Sequence, residues 1–273
     1  MGSPDAKIVE HYGGGGLYDR IIAALEQAGL SEGAVTPADL KPVDEFHIGG
    51  AAATEALLDP LGIAEGTRVL DLGSGIGGPA RFMAARYGAA VTGIDLTPDF
   101  VATAERLTAL VGLDARFQTG SALDLPFEAS SFDLVTLLHV GMNLPDKPRL
   151  FAEAARVLVP GGTFVVYDVM LFGAHPEFPL PWATQPDASF LAAPEDYLAA
   201  AEAAGIRLTH RADRGPVAKA FFAEMQARMT ASGPPAVGLP LVMGEDAPAK
   251  VANMVAAVNA GMIQPVEMIF EKG

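Results

Sequence analysis

The apolar run Val69-Leu70-Asp71-Leu72 stops abruptly at Gly73-Ser74-Gly75-Ile76-Gly77-Gly78, and this junction constrains the fold more than any other stretch of the chain. A strand that ends in clustered glycines and gives way to a helix near Gly77 lets the backbone turn tightly. It also presents free N–H groups and the positive end of a helix dipole at one loop. Further on, Val91-Thr92-Gly93-Ile94-Asp95-Leu96 ends a second apolar run on a carboxylate. A spacing of about twenty residues is the one at which an acidic side chain accepts hydrogen bonds from ribose hydroxyls, so the pair of features predicts a nucleoside site.

Between Val69 and Val169 short apolar runs alternate with helix-patterned segments, the signature of an α/β fold with a mostly parallel sheet and crossover helices. The pattern predicts strands at 68–72, 90–95, 115–119, 132–138 and 163–168, with helices near 78–87, 98–111 and 147–158. Val159-Pro160-Gly161-Gly162 closes the last of these helices, because Pro cannot continue it and Gly permits the reversal. Residues 1–66 predict an N-terminal helical lid or cap, with Leu17, Ile21, Ile22 and Leu25 at helical spacing and a second helix around Ala51 to Leu58. Ahead of them stands Tyr12 followed by Gly13, Gly14, Gly15 and Gly16, a run too costly in backbone entropy for a helix interior and suited to a joint or a closing loop. The core is expected over 67–273, with cap insertions at about 170–193 and 215–262. The first insertion is rich in Pro and aromatic residues. Beyond it the pattern predicts helices at 194–204, 217–229 and 248–260, and strands at 206–210 and 265–270.

The 273 residues carry a formal charge of −15 without a basic stripe, which argues against a nucleic-acid partner. Cysteine is absent, so disulfides, thiolate metal sites and cysteine nucleophiles are excluded. No apolar run reaches the roughly 18 residues of a membrane span, and no secretory pattern opens the chain. A cytoplasmic protein with a small-molecule substrate is expected, and a homodimer is open. The histidines are not paired at helical spacing and the carboxylates are scattered, so no metal site is expected.

Gly73, Gly75 and Gly78 satisfy G-x-G-x-x-G, which brings nicotinamide and flavin enzymes into consideration. Asp71 opposes that reading: it puts a negative charge where a pyrophosphate would come near, and suits a ligand bearing an ammonium and a sulfonium. No Tyr is followed by Lys four residues on, and no Gly-Lys-Ser/Thr follows the glycines, so a short-chain dehydrogenase pair and a phosphate loop are both missing.

Several motifs in order point to one family. Val69 to Gly78, Asp95, Gly120-Ser121-Ala122-Leu123-Asp124-Leu125-Pro126-Phe127, Ser131-Phe132-Asp133-Leu134-Val135 and Arg156-Val157-Leu158-Val159-Pro160-Gly161-Gly162 together resemble the class I S-adenosylmethionine-dependent methyltransferases. Within that class, His47-Ile48-Gly49-Gly50 and Gly77-Gly78-Pro79-Ala80-Arg81 are similar to the sarcosine/dimethylglycine N-methyltransferase type. The resemblance implies a Rossmann-like sheet with an antiparallel last strand and a helical cap, S-adenosyl-L-methionine as cofactor, and methyl transfer to a small molecule at an amine nitrogen. An oxygen or carbon acceptor, or a cofactor-binding protein without catalysis, are the other readings. It further implies that Asp71, Gly73, Ser74 and Gly75 line the methionine portion, that Asp95 and Leu96 meet the ribose and adenine, and that Ser121, Ala122 and Leu123 meet the adenine ring. Ser121 stands where the family usually has Asp; a hydroxyl can also accept from the adenine amino group. His139 and Val140 would lie near the sulfur.

Methyl transfer from a sulfonium is an in-line displacement in which alignment supplies most of the acceleration, on the order of 7–11 kcal/mol. An amine must still be neutral to attack. His139, at the end of a strand facing the cleft, is the first candidate to handle its proton, against an alternative of packing on the cofactor. His47 is the second, against a surface-loop histidine. Tyr12 and Tyr18 flank the glycine run and could lay a phenol over the sulfonium, although Tyr18 equally suits a helix packing face. Trp182 could wall an acceptor pocket or anchor the cap, and Phe221, Phe222, Met225, Met229 and Met243 read as core. If the substrate carries a carboxylate, Arg20, Lys219 and Arg228 are the candidates to pair with it.

Overall fold

The structure, a computed structural model, describes residues 5, 9, 11, 15–233 and 235–273. Helices α1 (Leu17–Gln27), α2 (Pro37–Asp44) and α3 (Gly50–Leu58) precede the sheet. There follow β1 (Arg68–Leu72), α4 (Gly78–Tyr87), β2 (Ala90–Asp95), α5 (Pro98–Leu110), β3 (Ala115–Thr119), β4 (Phe132–Leu138), α6 (Lys147–Val157) and β5 (Leu158–Leu171). The remainder is α7 (Pro194–Ala203), β6 (Ile206–Asp213), α8 (Gly215–Ser232), α9 (Pro240–Met243), α10 (Ala247–Asn259) and β7 (Ile263–Lys272). The expected α/β pattern is observed, and the end of the chain is ordered as predicted.

The seven strands lie in the order β3-β2-β1-β4-β5-β7-β6. β1 to β5 are mutually parallel, and β7 enters antiparallel between β5 and β6. Both faces are covered, which is why the strands read as apolar runs rather than as alternation. Leu70 and Leu72 point to the face packed by Phe151 and Tyr197, whereas Val69 and Val91 point to the face packed by Ala80, Met83 and Val101. The order of strands reverses between β1 and β4. Ligands in open α/β sheets bind outside the carboxyl ends of the strands at such a switch point.

Two departures from the sequence pattern have local causes. β5 begins at Leu158, earlier than expected, because Leu158 pairs with Phe132 before the chain loops out and resumes pairing at Thr163 with Leu134. Gly161, at φ 76°, makes that excursion possible. α2 is absent from the pattern because only eight residues form it and Pro42 interrupts its interior. It is nonetheless signalled by Thr36-Pro37-x-Asp39: the Asp39 carboxylate accepts from the Thr36 N–H at 2.9 Å and Pro37 occupies a position that needs no donor.

Arg81 joins the N-terminal helices to the core. It is 2% exposed, donates to Asp44 of α2 at 2.8 Å and to the Ile76 carbonyl at 2.8 Å, and reaches Thr108 of α5 at 3.1 Å. Gly78 lets α2 come this close, since a Cβ there would overlap the Asp44 carbonyl oxygen. No helix of the described residues is long and apolar enough to cross a membrane.

Candidate active site

An open cleft of about 970 Å³ lies at the carboxyl ends of β1, β2 and β4. The glycine loop forms its floor. Gly73 (φ 66°) and Gly75 (φ 53°) have left-handed backbone, and a Cβ on Gly73 would strike both methyls of Val140. The loop is pinned by Asp95, whose two oxygens accept from the Gly75 N–H at 2.9 Å and the Thr97 N–H at 2.8 Å.

The polar character of this cleft is concentrated in atoms that the protein leaves unpartnered. Asp71 accepts from Thr136 Oγ1 at 2.7 Å through one oxygen, while its Oδ2 is buried without a partner, as are Ser74 Oγ and Asn143 Oδ1. All three residues line the cleft. Burial, with Asp95 nearby, pushes the Asp71 carboxyl up to about 7 against the opposing Thr136 bond. A ligand cation at Oδ2 would restore its charge and satisfy the orphaned oxygen. Leu96, Ser121 and Ala122 also line the cleft, as does Phe100. Leu123 is not among the lining residues; its N–H instead donates to Ser121 Oγ at 3.2 Å, closing a turn.

A second pocket, about 580 Å³ with the solvent at its mouth included, adjoins the first and shares Phe46, His47 and His139 with it. Its walls come from the cap: Trp182, Phe221, Phe222, Met225 and Met243 all line it, joined by Met142 and Met254. Phe222 and Met243 are buried as the core reading expects, with Phe221 and Met225 half-buried, and all four also line this cavity; Met229, expected in the core, is instead 44% exposed. Arg20, Lys219 and Arg228 do not line it, and Arg228 pairs with Glu224 at 3.7 Å.

The two histidines at the junction carry opposite tautomers. His139 Nδ1 faces the Tyr167 carbonyl at 3.2 Å and must donate, while its Nε2 accepts from the Ile48 N–H at 3.3 Å. Its backbone, at φ 56°, turns the chain out of β4, and its N–H donates to the same Tyr167 carbonyl at 2.7 Å. Both ring nitrogens are thus occupied, tying the core to the cap. His47 Nε2 faces the Gly50 carbonyl at 3.1 Å and Thr54 Oγ1 at 3.0 Å, so Nε2 carries the hydrogen and Nδ1 the lone pair. Burial holds His139 down to about 3 and His47 down to about 4, and both rings are neutral at neutral pH.

Tyr18 is brought to neither cavity. It packs with Ile21 and Leu25 against Phe100 and Leu107, under the Arg106 guanidinium at 3.5 Å from the ring centre, because α1 lays its apolar face on α5. Tyr12, with Gly13 and Gly14, lies outside the described residues. Among the described residues no group of three or more His, Asp or Glu could hold a metal ion. Asp44, Phe46 and Asn143 also line the cleft. The only sequence signals for them were the cap motif before α2 and the position of Asn143 just past β4.

Residues 70–166 match the family model described as a methyltransferase domain. The geranyl diphosphate C-methyltransferase of Streptomyces coelicolor, solved with geranyl-S-thiolodiphosphate and S-adenosyl-L-homocysteine, superposes with a TM-score of 0.72 at 19% identity, over 100% of this chain and 99% of that one. The fold is that of the class I methyltransferases. A putative sarcosine dimethylglycine methyltransferase from Galdieria sulphuraria shares this methyltransferase fold at TM-score 0.61 and 21% identity, covering 81% of this chain and 85% of that one. The curated methyltransferase GfsG of Streptomyces halstedii is 32% identical over 137 residues, which is 50% of this chain and 49% of the relative. The chain spans about half or less of the length of the curated relatives it matches.

Proposed function

We propose that the protein binds S-adenosyl-L-methionine in the glycine cleft and transfers its methyl group to a small molecule held in the adjoining chamber. The observation that carries this reading is Asp71, which lines the cleft beside the glycine loop with its Oδ2 unpartnered, a site that a ligand ammonium would satisfy. The cofactor supplies an electrophilic methyl group on a cationic sulfur. Asp71, Gly73, Ser74 and Gly75 hold its methionine portion, Asp95 and Leu96 its ribose and adenine, and Ser121 and Ala122 the adenine ring. Val140 and His139 stand beside the sulfur, His139 as the residue that fixes the distance between core and cap.

The chemistry asked of the chain is alignment and exclusion of water. An amine nitrogen is the acceptor we favour, on the resemblance to the sarcosine/dimethylglycine type, and the apolar chamber supports it by disfavouring the charged ammonium form. Isothermal titration with S-adenosylhomocysteine tests the reading: saturable binding is expected, and no binding would overturn it. Transfer of a labelled methyl group to an amine panel then separates an enzyme from a binding protein.

A further inference from the structure

The chamber is unusual in what it lacks. No Lys, Arg, Asp or Glu is among the described residues that line it, and the neighbouring Lys250 ammonium is spent on the Met243 carbonyl at 2.8 Å, so a phosphate or carboxylate group entering it meets no lining cation. Its polar atoms are few. The Trp182 indole N–H already donates to Ser189 Oγ at 3.0 Å, and both nitrogens of His139 are bonded to backbone. Among the described side chains that line it, what remains is Nδ1 of His47.

That nitrogen is prepared as an acceptor by the groups behind the ring. The Gly50 carbonyl can only accept, which forces the hydrogen onto Nε2. Thr54 Oγ1, 3.0 Å from Nε2, spends its own hydrogen on Glu45 Oε2 at 2.7 Å and so presents a lone pair to the ring. Thr54 is 1% exposed and Glu45 4%, so the chain from carboxyl to hydroxyl to imidazole is shielded from water. With Nε2 occupied on both sides, the ring cannot flip without losing bonds to Gly50 and Thr54 together.

We propose that the chamber takes an uncharged, largely hydrocarbon acceptor bearing one N–H or O–H, that this group donates to Nδ1 of His47, and that Glu45 and Thr54 are positioning residues for the ring. The inference rests on the methyl-transfer reading and deepens it at the acceptor. A hydrogen bond from the acceptor to Nδ1 holds its heteroatom at the residues the two cavities share and leaves its lone pair unspent. It also specifies what is refused: a phosphorylated or carboxylated molecule, and one whose heteroatom carries no hydrogen.

Trp182 is the only tryptophan and lines the chamber, so its emission reports occupancy directly. Geraniol, geranyl methyl ether and geranyl diphosphate share one hydrocarbon and differ only in the head group, and 1-decanol offers a second neutral alcohol. In protein saturated with S-adenosylhomocysteine, geraniol and decanol are expected to shift the emission saturably. The ether should bind about fivefold more weakly than geraniol, and the diphosphate more than about tenfold more weakly. Thr54→Val and His47→Gln should erase the difference between alcohol and ether. Nitrogen-15 NMR of the unsubstituted protein gives an independent reading: His47 should show a protonated Nε2 and an unprotonated Nδ1 whose signal moves with geraniol. Emission unmoved by both alcohols, equal binding of diphosphate and alcohol, or a protonated Nδ1 would each overturn the proposal. Failure of S-adenosylhomocysteine to bind would instead defeat the methyl-transfer reading, and the alcohol comparison without it would still test the chamber.

Discussion

The glycine cleft and the apolar chamber share Phe46, His47 and His139, yet they are built in opposite ways. The cleft draws its key groups from the ends of neighbouring parallel strands, where Asp71 and Asp95 follow runs that must be apolar because both sheet faces are covered. The chamber is assembled from the 46–48 segment, the end of β4, the 181–182 loop, α8, α9 and α10, whose contributions meet only after the chain has folded. One region carries buried carboxylates and is motif-borne, the other has no charged lining residue and is dispersed. The difference teaches that a shared fold prescribes the half of a site that rests on the sheet, while the half that rests on the cap is free to change its chemistry.

Substitutions that act on one side only can sharpen or break this contrast. The largest effect is expected from Arg81→Met, which strands Asp44 as a buried unpaired carboxylate between cap and core. A loss of about 3–5 kcal/mol in unfolding free energy by urea titration is expected, and a change under 1 kcal/mol would show that cap and core are held together by other contacts. Asp95→Ala removes the acceptor for Gly75 and Thr97 together with the proposed ribose contacts. Affinity for S-adenosylhomocysteine should fall by about 3 kcal/mol in calorimetry while geraniol binding is retained; equal losses in both would dissolve the distinction between the cavities.

Met225→Ala is the converse. Met225 lines the chamber and not the cleft, so loss of its packing should weaken geraniol by about 1 kcal/mol and leave S-adenosylhomocysteine untouched. A pH slope tests the segment that leads into the shared wall. Burial pushes the Glu45 carboxyl up to about 8 in the folded protein, so between its ordinary value near 4.5 and about 8 the folded state holds a proton that the unfolded chain gives up. Glu45 therefore favours the folded state below that window, and this contribution is lost as pH rises through about 8. Glu45→Gln should flatten the decline of the urea midpoint between pH 5 and pH 9, and an unchanged decline would place the titration elsewhere.

The two histidines show where sequence reasoning stops. His139 and His47 were both legible as candidates, because strand-end and glycine-flanked histidines face clefts in such folds. Their order of interest depended on ring contacts with Tyr167, Ile48, Gly50 and Thr54, residues up to 91 positions away from the donor or acceptor they meet. Tyr18 was equally ambiguous on paper, and the packing of α1 on α5 decided it. Trp182, Phe222 and Met254 carried only an apolar signal, which a filled core and an empty chamber produce alike.

The sequence by itself determined the sheet. Period, glycine placement and apolar runs are local quantities, set by backbone sterics and by burial on two faces, and they specify strands, crossover helices and the loop at the end of β1 without reference to distant residues. Only the tertiary structure decided which imidazole keeps a free lone pair, which aromatic residues face a cavity, and that no charge lies among the described residues lining it. Those outcomes depend on contacts between segments far apart in the chain, where a few ångströms separate a filled core from a binding site.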